Sequence, residues 1–379
     1  MKTLQITKIA YGKRLVVSTV GTVLITLFGF STAWAAEKSN NSQRDIDVAT
    51  VNLYVGADFT PVLSLPPNDP SIIPAIVAVH DQILNSKFEV RAEALAAQIV
   101  ARGPDLVSLQ EVSLLRRQSP GDSIIHGSVP ATQVERDYLA LLLAALARHG
   151  GHYAVASQID ETDIEVPLFT GVGFDDVRLT DRDVILVRTD VPPGFLQISN
   201  PQSGHFNALL PLPIGGIALR GWCSIDVMVR GRSFRVIDTH LEDQLPPGYP
   251  NIQFAQAAEL LAGPAGTTMP VILAGDFNSD ANGQYSFFTY ALLTGQQNNQ
   301  GRFTDAWTIA KPNDLGLTWG HDGLLANQSV PFVYRLDLVL YRGKLFKATA
   351  AEVVDPLISN TAPRWFSDHA AVFTALDID

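Results

Sequence analysis

Short apolar runs with a period of two, bounded by turn-forming residues, recur along the chain and predict β-strands. The predicted strands cover residues 45–53, 105–112, 153–157, 183–188, 222–229, 233–239, 270–275, 333–341 and 370–376. The strands at 222–229 and 233–239 are separated only by Arg230-Gly231-Arg232, which predicts a hairpin.

Longer stretches with apolar residues at helical spacing lie between these strands and predict helices at residues 86–102, 132–150, 252–261 and 284–293. The first two begin with the capping-box patterns Ser86-x-x-Glu89 and Thr132-x-x-Glu135. The first should end at Gly103-Pro104. Residues 56–74 contain five prolines and predict an irregular segment. This alternation predicts two packed sheets with helices outside them, in one domain covering residues 45–379.

The N-terminal residues have a different pattern. Four basic and no acidic residues precede a largely apolar stretch at 15–30, and Ala33-Trp34-Ala35 fits a cleavage site. This predicts a signal peptide at 1–35, a flexible lead at 36–44, and a secreted or periplasmic protein with no transmembrane segment after cleavage. The alternative is an uncleaved anchor, because the apolar stretch is long for a signal.

Composition narrows the class of protein. With 46% hydrophobic and 17% charged residues, the chain of 379 residues is not intrinsically disordered. Its single cysteine, Cys223, excludes a disulfide-stapled scaffold and is expected to be a core residue. Cleavage would change the net charge from −11 to −15, since the signal carries four positive charges. Such a charge disfavours a nucleic-acid coat protein, but not an enzyme that binds phosphates through metals.

Acidic, amide and histidine side chains lie at or near one end of six predicted strands. They are Asn52, Glu111, Asp238 with His240, Asp276 with Asn278, Asp337, and Asp368 with His369. If these strand ends meet at one edge, the side chains form one cleft with oxygen ligands for a hard divalent cation and histidines for phosphoester hydrolysis. Most of these residues, taken singly, have ordinary structural roles. An ordinary structural role is harder to assign to Asp337, because burying an unpaired carboxylate in an apolar strand costs free energy.

The joint order of these residues resembles the endonuclease/exonuclease/phosphatase superfamily, the group of DNase I, exonuclease III, inositol polyphosphate 5-phosphatases and bacterial sphingomyelinases. The resemblance spans residues 48–374. It is carried by Asn52, Leu109-Gln110-Glu111, Asp238-Thr239-His240-Leu241, Gly275-Asp276-Phe277-Asn278, Arg335-Leu336-Asp337 and Ser367-Asp368-His369. It implies an α/β fold, a four-layer α-β-β-α sandwich of two mainly antiparallel sheets.

The resemblance also implies roles for these residues. Glu111 would be the main ligand of Mg²⁺ or Mn²⁺, with Asn52 and Asp368 completing or neighbouring the metal sphere. His369 would activate the attacking water, and Asp337 would orient that imidazole. The remaining residues would bind the phosphate or assist the departing oxygen: His240, Asp276 and Asn278.

The substrate stays open at this point. Long segments separate the motifs at 56–87, 114–132 and 158–180, and no basic groove is evident. We favour a phosphodiesterase acting on nucleic acid, with no stable protein partner. The first alternative is a lipid phosphodiesterase resembling sphingomyelinase or phospholipase C, suggested by the apolar segment 209–219 and by Trp365-Phe366, although burial of these residues is the more ordinary expectation. The second is a toxin-like or binding protein with low turnover.

Overall fold

The computed structural model describes residues 45–212, 216–243, 252–296 and 301–379. The predicted signal peptide and the lead at 36–44 lie outside these ranges. The strands are β1 (Asp45–Asn52), β2 (Leu106–Gln110), β3 (Leu114–Gln118), β4 (Gln133–Asp137), β5 (Tyr153–Phe169), β6 (Phe174–Arg188), β7 (Leu196–His205), β8 (Leu210–Pro211), β9 (Ile217–Ala218), β10 (Gly221–Val229), β11 (Arg232–His240), β12 (Val271–Asp276), β13 (Thr304–Asp305), β14 (Asp337–Arg342), β15 (Phe346–Val354) and β16 (Ala371–Ile378). The helices are α1 (Thr60–Leu63), α2 (Ile72–Asn85), α3 (Phe88–Arg102), α4 (Tyr138–Arg148), α5 (Ile252–Ala262), α6 (Phe287–Leu293) and α7 (Ala306–Ala310).

Two sheets form the centre of the molecule. The first has the strand order β15-β16-β1-β2-β6-β3-β4, with β5 also paired to β6, and the second has the order β13-β14-β12-β11-β10-β7. Strand alternation explains how they pack, because successive side chains point to opposite faces. Ile46 and Val48 of β1 belong to the core between the sheets, whereas Ala49 and Val51 belong to the core under α3 and α4.

Helices α5 and α6 cover the outer face of the second sheet, where Leu260 and Leu293 pack with Leu273 of β12. The molecule is therefore the expected four-layer α-β-β-α sandwich, and most strand pairs are antiparallel. Two neighbouring pairs are parallel, β1 with β2 and β11 with β12. Parallel strands end at the same edge of a sheet, so the polar residues that follow these four strands meet in pairs.

Both predicted capping boxes were wrong. Ser86 ends α2, a helix that the prolines of residues 56–74 had obscured, and its hydroxyl donates to the Ile83 carbonyl at 2.8 Å. Helix α3 begins after Lys87 with no side-chain cap. Residues 133–137 form β4, and α4 is capped by Asp137, which accepts from the Leu139 amide at 3.1 Å.

Other expectations have clear outcomes. Cys223 is fully buried between the sheets, as predicted. Trp365 and Phe366 are buried rather than exposed for membrane contact.

Asp337 is the first residue of β14 and not an internal one, because the strand starts later than residue 333. Strands β3, β7 and β15 were not predicted. Within the described ranges, each helix is too short or too polar to cross a membrane.

Candidate functional site

One edge of the sandwich gathers the polar strand ends. Asn52 ends β1 and Glu111 directly follows β2, while His240 and Asp276 end β11 and β12. The register places Asp276 beside His240 on one side and beside Asp337 on the other. The fold therefore brings these side chains together as predicted, through strand pairing within each sheet and packing of the two sheets.

A histidine–carboxylate pair lies at the centre of this edge. His369 Nδ1 is 2.8 Å from Asp337 Oδ2, and both side chains are buried. Since the carboxylate accepts, Nδ1 carries the proton and Nε2 faces the other acids, 3.7 Å from Asp276 Oδ2 and 4.0 Å from Asp368 Oδ1. Burial opposes protonation of His369, but the three carboxylates outweigh it and raise the pKa of this histidine well above its usual value.

Asn52 connects the two sheets at this edge. Its Nδ2 donates to Glu111 Oε1 and to Asp276 Oδ2, both at 3.0 Å. Its Oδ1 accepts from the Tyr54 amide at 2.8 Å, which fixes the orientation of the side chain. The amide thus presents its nitrogen to the carboxylates and holds Glu111 in place. In this arrangement the side-chain oxygen of Asn52 is hydrogen-bonded to the backbone. The role of Asn52 as a metal ligand stays a prediction.

The backbone near this edge is constrained. Tyr54, Glu111 and Asn278 have φ angles of 57°, 55° and 48°, in the left-handed region that non-glycine residues seldom adopt. Glu111 Oε2 also accepts from the Val55 amide at 2.6 Å. Such conformations cost roughly 1–3 kcal/mol each and cluster at functional sites, where the surrounding structure maintains them.

His240 is held in one tautomer by a residue that the sequence analysis missed. Arg220 NH1 lies 2.8 Å from His240 Nδ1. A guanidinium can only donate, so Nδ1 accepts and the proton of the neutral imidazole is on Nε2. Burial and the charge of Arg220 lower the pKa of His240 well below its usual value. Nε2–H lies 3.6 Å from Asp276 Oδ2. Asn278 Nδ2, 3.1 Å from Nε2, is also a donor and donates instead to the Leu241 carbonyl at 2.9 Å. His240 is therefore a neutral hydrogen-bond donor toward the site.

Arg220 is in turn held by acids that the sequence analysis did not select. It lies 3.5 Å from Glu161, 3.3 Å from Asp181 and 3.7 Å from Glu242. Burial raises the pKa of Glu161 to about 8, although Arg220 opposes this. Burial likewise raises the pKa of Asp183 well above its usual value, and Glu161 adds to the effect. One signal was present in the sequence, because Asp183 lies at one end of a predicted strand, the pattern that selected the other candidate residues.

A second residue that the sequence analysis did not select fixes the backbone next to the strand ends. Arg91 of α3 is buried and donates to the backbone carbonyls of Leu53, Tyr54 and Phe366 at 2.6, 3.0 and 2.9 Å. These carbonyls lie beside Asn52 and the Ser-Asp-His motif. Arg91 therefore ties together the two segments that carry two of the three predicted metal ligands, Asn52 and Asp368.

The predicted metal ligands fit a hard cation in their chemistry. Glu111 and Asp368 offer carboxylate oxygens, which Mg²⁺ and Mn²⁺ prefer. Burial raises the pKa of Asp368 to about 6; His369 opposes this and the Glu111 carboxylate adds to it. The carboxylates of Asp368 and Glu111 each disfavour the ionised form of the other, and a bound cation would relieve this repulsion. A second set could also hold an ion, because Asp276, Asp337 and His369 each bring one ligand atom within 4.8 Å of the others.

We expect Arg220→Gln to lower activity by about 10–100-fold, the usual cost of losing a residue that orients a catalytic group. The reason is loss of the single tautomer of His240, so ¹⁵N NMR of its imidazole should change from one Nε2-protonated form to a mixture. Arg178→Gln is the control, since Arg178 pairs with Asp163 on the surface. Unchanged imidazole signals in Arg220→Gln would contradict the assigned role.

Comparisons with known proteins agree with this geometry. A family model described as the Endonuclease/Exonuclease/phosphatase family matches residues 83–369. A search of curated proteins found no match. A family protein of Leptotrichia buccalis C-1013-b is similar in structure, with 16% identity, a TM-score of 0.52 and coverage of 88% of this chain and 100% of that one.

Two further structures are similar at the same level. A family protein of Beutenbergia cavernae DSM 12333 shares 20% identity, with a TM-score of 0.51 and coverage of 88% of this chain and 72% of that one. A mannosyl-6-phosphatase of Bacteroides thetaiotaomicron VPI-5482 shares 16% identity, with a TM-score of 0.50 and coverage of 87% and 99%. At such identities these likenesses establish the fold alone.

Proposed function

The chain belongs to the endonuclease/exonuclease/phosphatase family, whose members are phosphoric ester hydrolases, and we propose that it is a divalent-metal-dependent phosphodiesterase. The observation that carries this proposal is the buried pair of His369 and Asp337, 2.8 Å apart, beside the carboxylates of Glu111 and Asp368. A base, its orienting acid and a set of oxygen ligands are what hydrolysis at phosphorus requires.

Each residue has a task that follows from its contacts. Asp337 holds Nδ1–H of His369, which leaves Nε2 of the neutral imidazole to take the proton of the attacking water. A bound cation would oppose the effect of the carboxylates that raise the pKa of this histidine and so favour its neutral form. His240 Nε2–H donates to a phosphoryl or departing oxygen, and Asn278 positions the same group. Asn52 and Asp276 hold the neighbouring side chains in position through their hydrogen bonds. Glu111 and Asp368 would hold a divalent cation, which would neutralise charge on the phosphoryl oxygens, and their oxygen ligands favour Mg²⁺ or Mn²⁺ over Zn²⁺.

Two substrates remain as candidates within this chemistry. Nucleic acid is the choice favoured by the sequence. A lipid phosphodiester is the second candidate, and one observation favours it: a largely aliphatic cavity adjoins the site. We further propose that the chain is exported, because residues 1–35 have the pattern of a signal peptide.

The test is turnover of a panel of phosphoesters by the purified chain with Mg²⁺ or Mn²⁺. The panel contains a soluble aryl phosphodiester, its phosphomonoester, a sugar phosphate, duplex DNA and RNA; the sugar phosphate is included because one similar structure is a mannosyl-6-phosphatase. We expect the diester to be hydrolysed faster than the monoester. Failure to hydrolyse any phosphoester would contradict the proposal.

A further inference from the structure

A cavity of about 410 Å³ begins at the candidate site and extends away from it. Its polar end is formed by Glu111, Asp181, Arg220 and Glu242. Two of these residues already have assigned tasks, since Glu111 is the predicted main metal ligand and Arg220 orients His240. The cavity is therefore continuous with the place where the phosphoester would bind.

The walls of the cavity are aliphatic. They come from α1, α2, β3, β5, β6 and the β8–β9 hairpin, and include Val62, Ile76, Val79, Leu115, Ile164 and Val166. Of the described residues that line the cavity, only Phe59 carries a benzene ring. Binding of single-stranded nucleic acid relies on aromatic platforms and basic grooves, and these walls offer neither.

The origin of the walls explains the long segments between the sequence motifs. Segments 56–87, 114–132 and 158–180 supply α1, α2, β3 and most of β5, and segment 209–219 supplies Leu210, Leu212 and Ala218. The motifs supply the catalytic edge. Each of these four segments thus contributes residues to one largely apolar surface next to that edge.

We propose that this cavity holds an aliphatic chain of the substrate, so that the enzyme hydrolyses phosphoesters of long-chain amphiphiles. This inference rests on the proposed phosphodiesterase function. A cavity within about 300–1,000 Å³, mostly apolar with a few polar groups at one end, is the usual form of a small-molecule site. Its phosphate end lies at Glu111 and Arg220, and its aliphatic end lies among Val62, Ile76 and Val166.

The first test measures kcat/KM for dispersed aryl phosphodiesters whose second ester carries an alkyl chain from ethyl to dodecyl, below the micelle concentration. We expect kcat/KM to rise about threefold for each added methylene until the cavity is filled. A flat series with clear hydrolysis would overturn the inference and leave the proposed function standing. Absence of hydrolysis throughout would instead contradict the proposed function.

Matched variants locate the effect. Val166→Asn places an amide in the cavity wall, whereas Val155→Asn changes an exposed valine of the same strand that does not line the cavity. The ratio of dodecyl to ethyl kcat/KM should fall at least tenfold in Val166→Asn and stay unchanged in Val155→Asn. Ala218→Leu fills the cavity without a polar atom and should shorten the preferred chain. Equal ratios in all these variants would overturn the inference.

A binding measurement does not depend on turnover. Calorimetry with alkyl phosphates should show tighter binding and a more negative heat-capacity change as the chain lengthens, since apolar surface is buried. Independence of both quantities from chain length would overturn the inference. Vesicles of phosphatidylcholine or sphingomyelin identify the source of the chain: their hydrolysis would assign it to a membrane lipid, and hydrolysis of dispersed esters alone to a soluble amphiphile. Both outcomes support an aliphatic substrate.

Discussion

Replacement of His369 by alanine is expected to lower kcat by roughly 10²–10⁴-fold, the usual contribution of a general base. The structure gives the reason, because Nδ1 is engaged by Asp337 at 2.8 Å and only Nε2 can take a proton from water. His369→Ala would leave Asp337 buried without its partner, so some stability should also be lost. His369→Asn is the sharper variant, since its amide can still donate to Asp337 while offering no base.

A double variant tests whether the pair acts as a unit. Asp337→Ala added to His369→Ala should cost little further activity, as found for residues that work together. Losses that multiply would show that Asp337 does not act through His369. His149→Ala is the control, because His149 pairs with Glu93 at 3.0 Å on the exposed surface and should leave activity unchanged.

Removal of divalent cations is expected to lower the rate of hydrolysis steeply, and Mg²⁺ or Mn²⁺ should restore it. A bound cation would stabilise the charge of the transition state by several kcal/mol, which corresponds to a change of about 10³-fold or more in rate. Full activity after exhaustive EDTA treatment would contradict the metal role.

Glu111→Gln connects that metal requirement to one carboxylate. It removes the charge but keeps a side chain of the same size beside Asn52 and the Val55 amide. The Mg²⁺ concentration for half-maximal activity should rise strongly, and metal binding by calorimetry should weaken in parallel. Glu259→Gln is the control, since Glu259 accepts from the Asn207 amide at 2.7 Å and is not a predicted ligand. Unaltered metal binding in Glu111→Gln would exclude this residue as the main ligand.

The catalytic edge was largely predictable from sequence, because it depends on strand ends. Parallel pairing of β1 with β2, and of β11 with β12, brings residues that follow apolar runs to one place. Asn52, Glu111, His240 and Asp276 could therefore be selected without knowledge of the tertiary structure. Histidine and acid at the end of a strand are informative when several strands share the pattern.

What the sequence could not supply depends on neighbours distant along the chain. Arg220 acquires its role from His240 and from acids on β5 and β6, and no local pattern reveals that arrangement. The capping boxes failed for a related reason. Ser86 and Thr132 have suitable side chains, but α2 ends at the first and strand β4, not a helix, begins directly after the second. Tertiary packing commonly overrides such local preferences.

The division of labour between strand ends and intervening segments has an evolutionary consequence. The candidate catalytic side chains lie at strand ends of the two sheets, whereas the aliphatic walls are made by α1, α2 and by parts of β3, β5 and β6 away from those ends. Substitutions of wall residues therefore change the cavity while leaving the strand ends that carry the candidate site in place. Descendants of one gene could therefore diverge in the molecules they cleave while inheriting the same reaction. A change of substrate would then appear as substitutions among the wall residues, while the residues of the candidate site would stay the same.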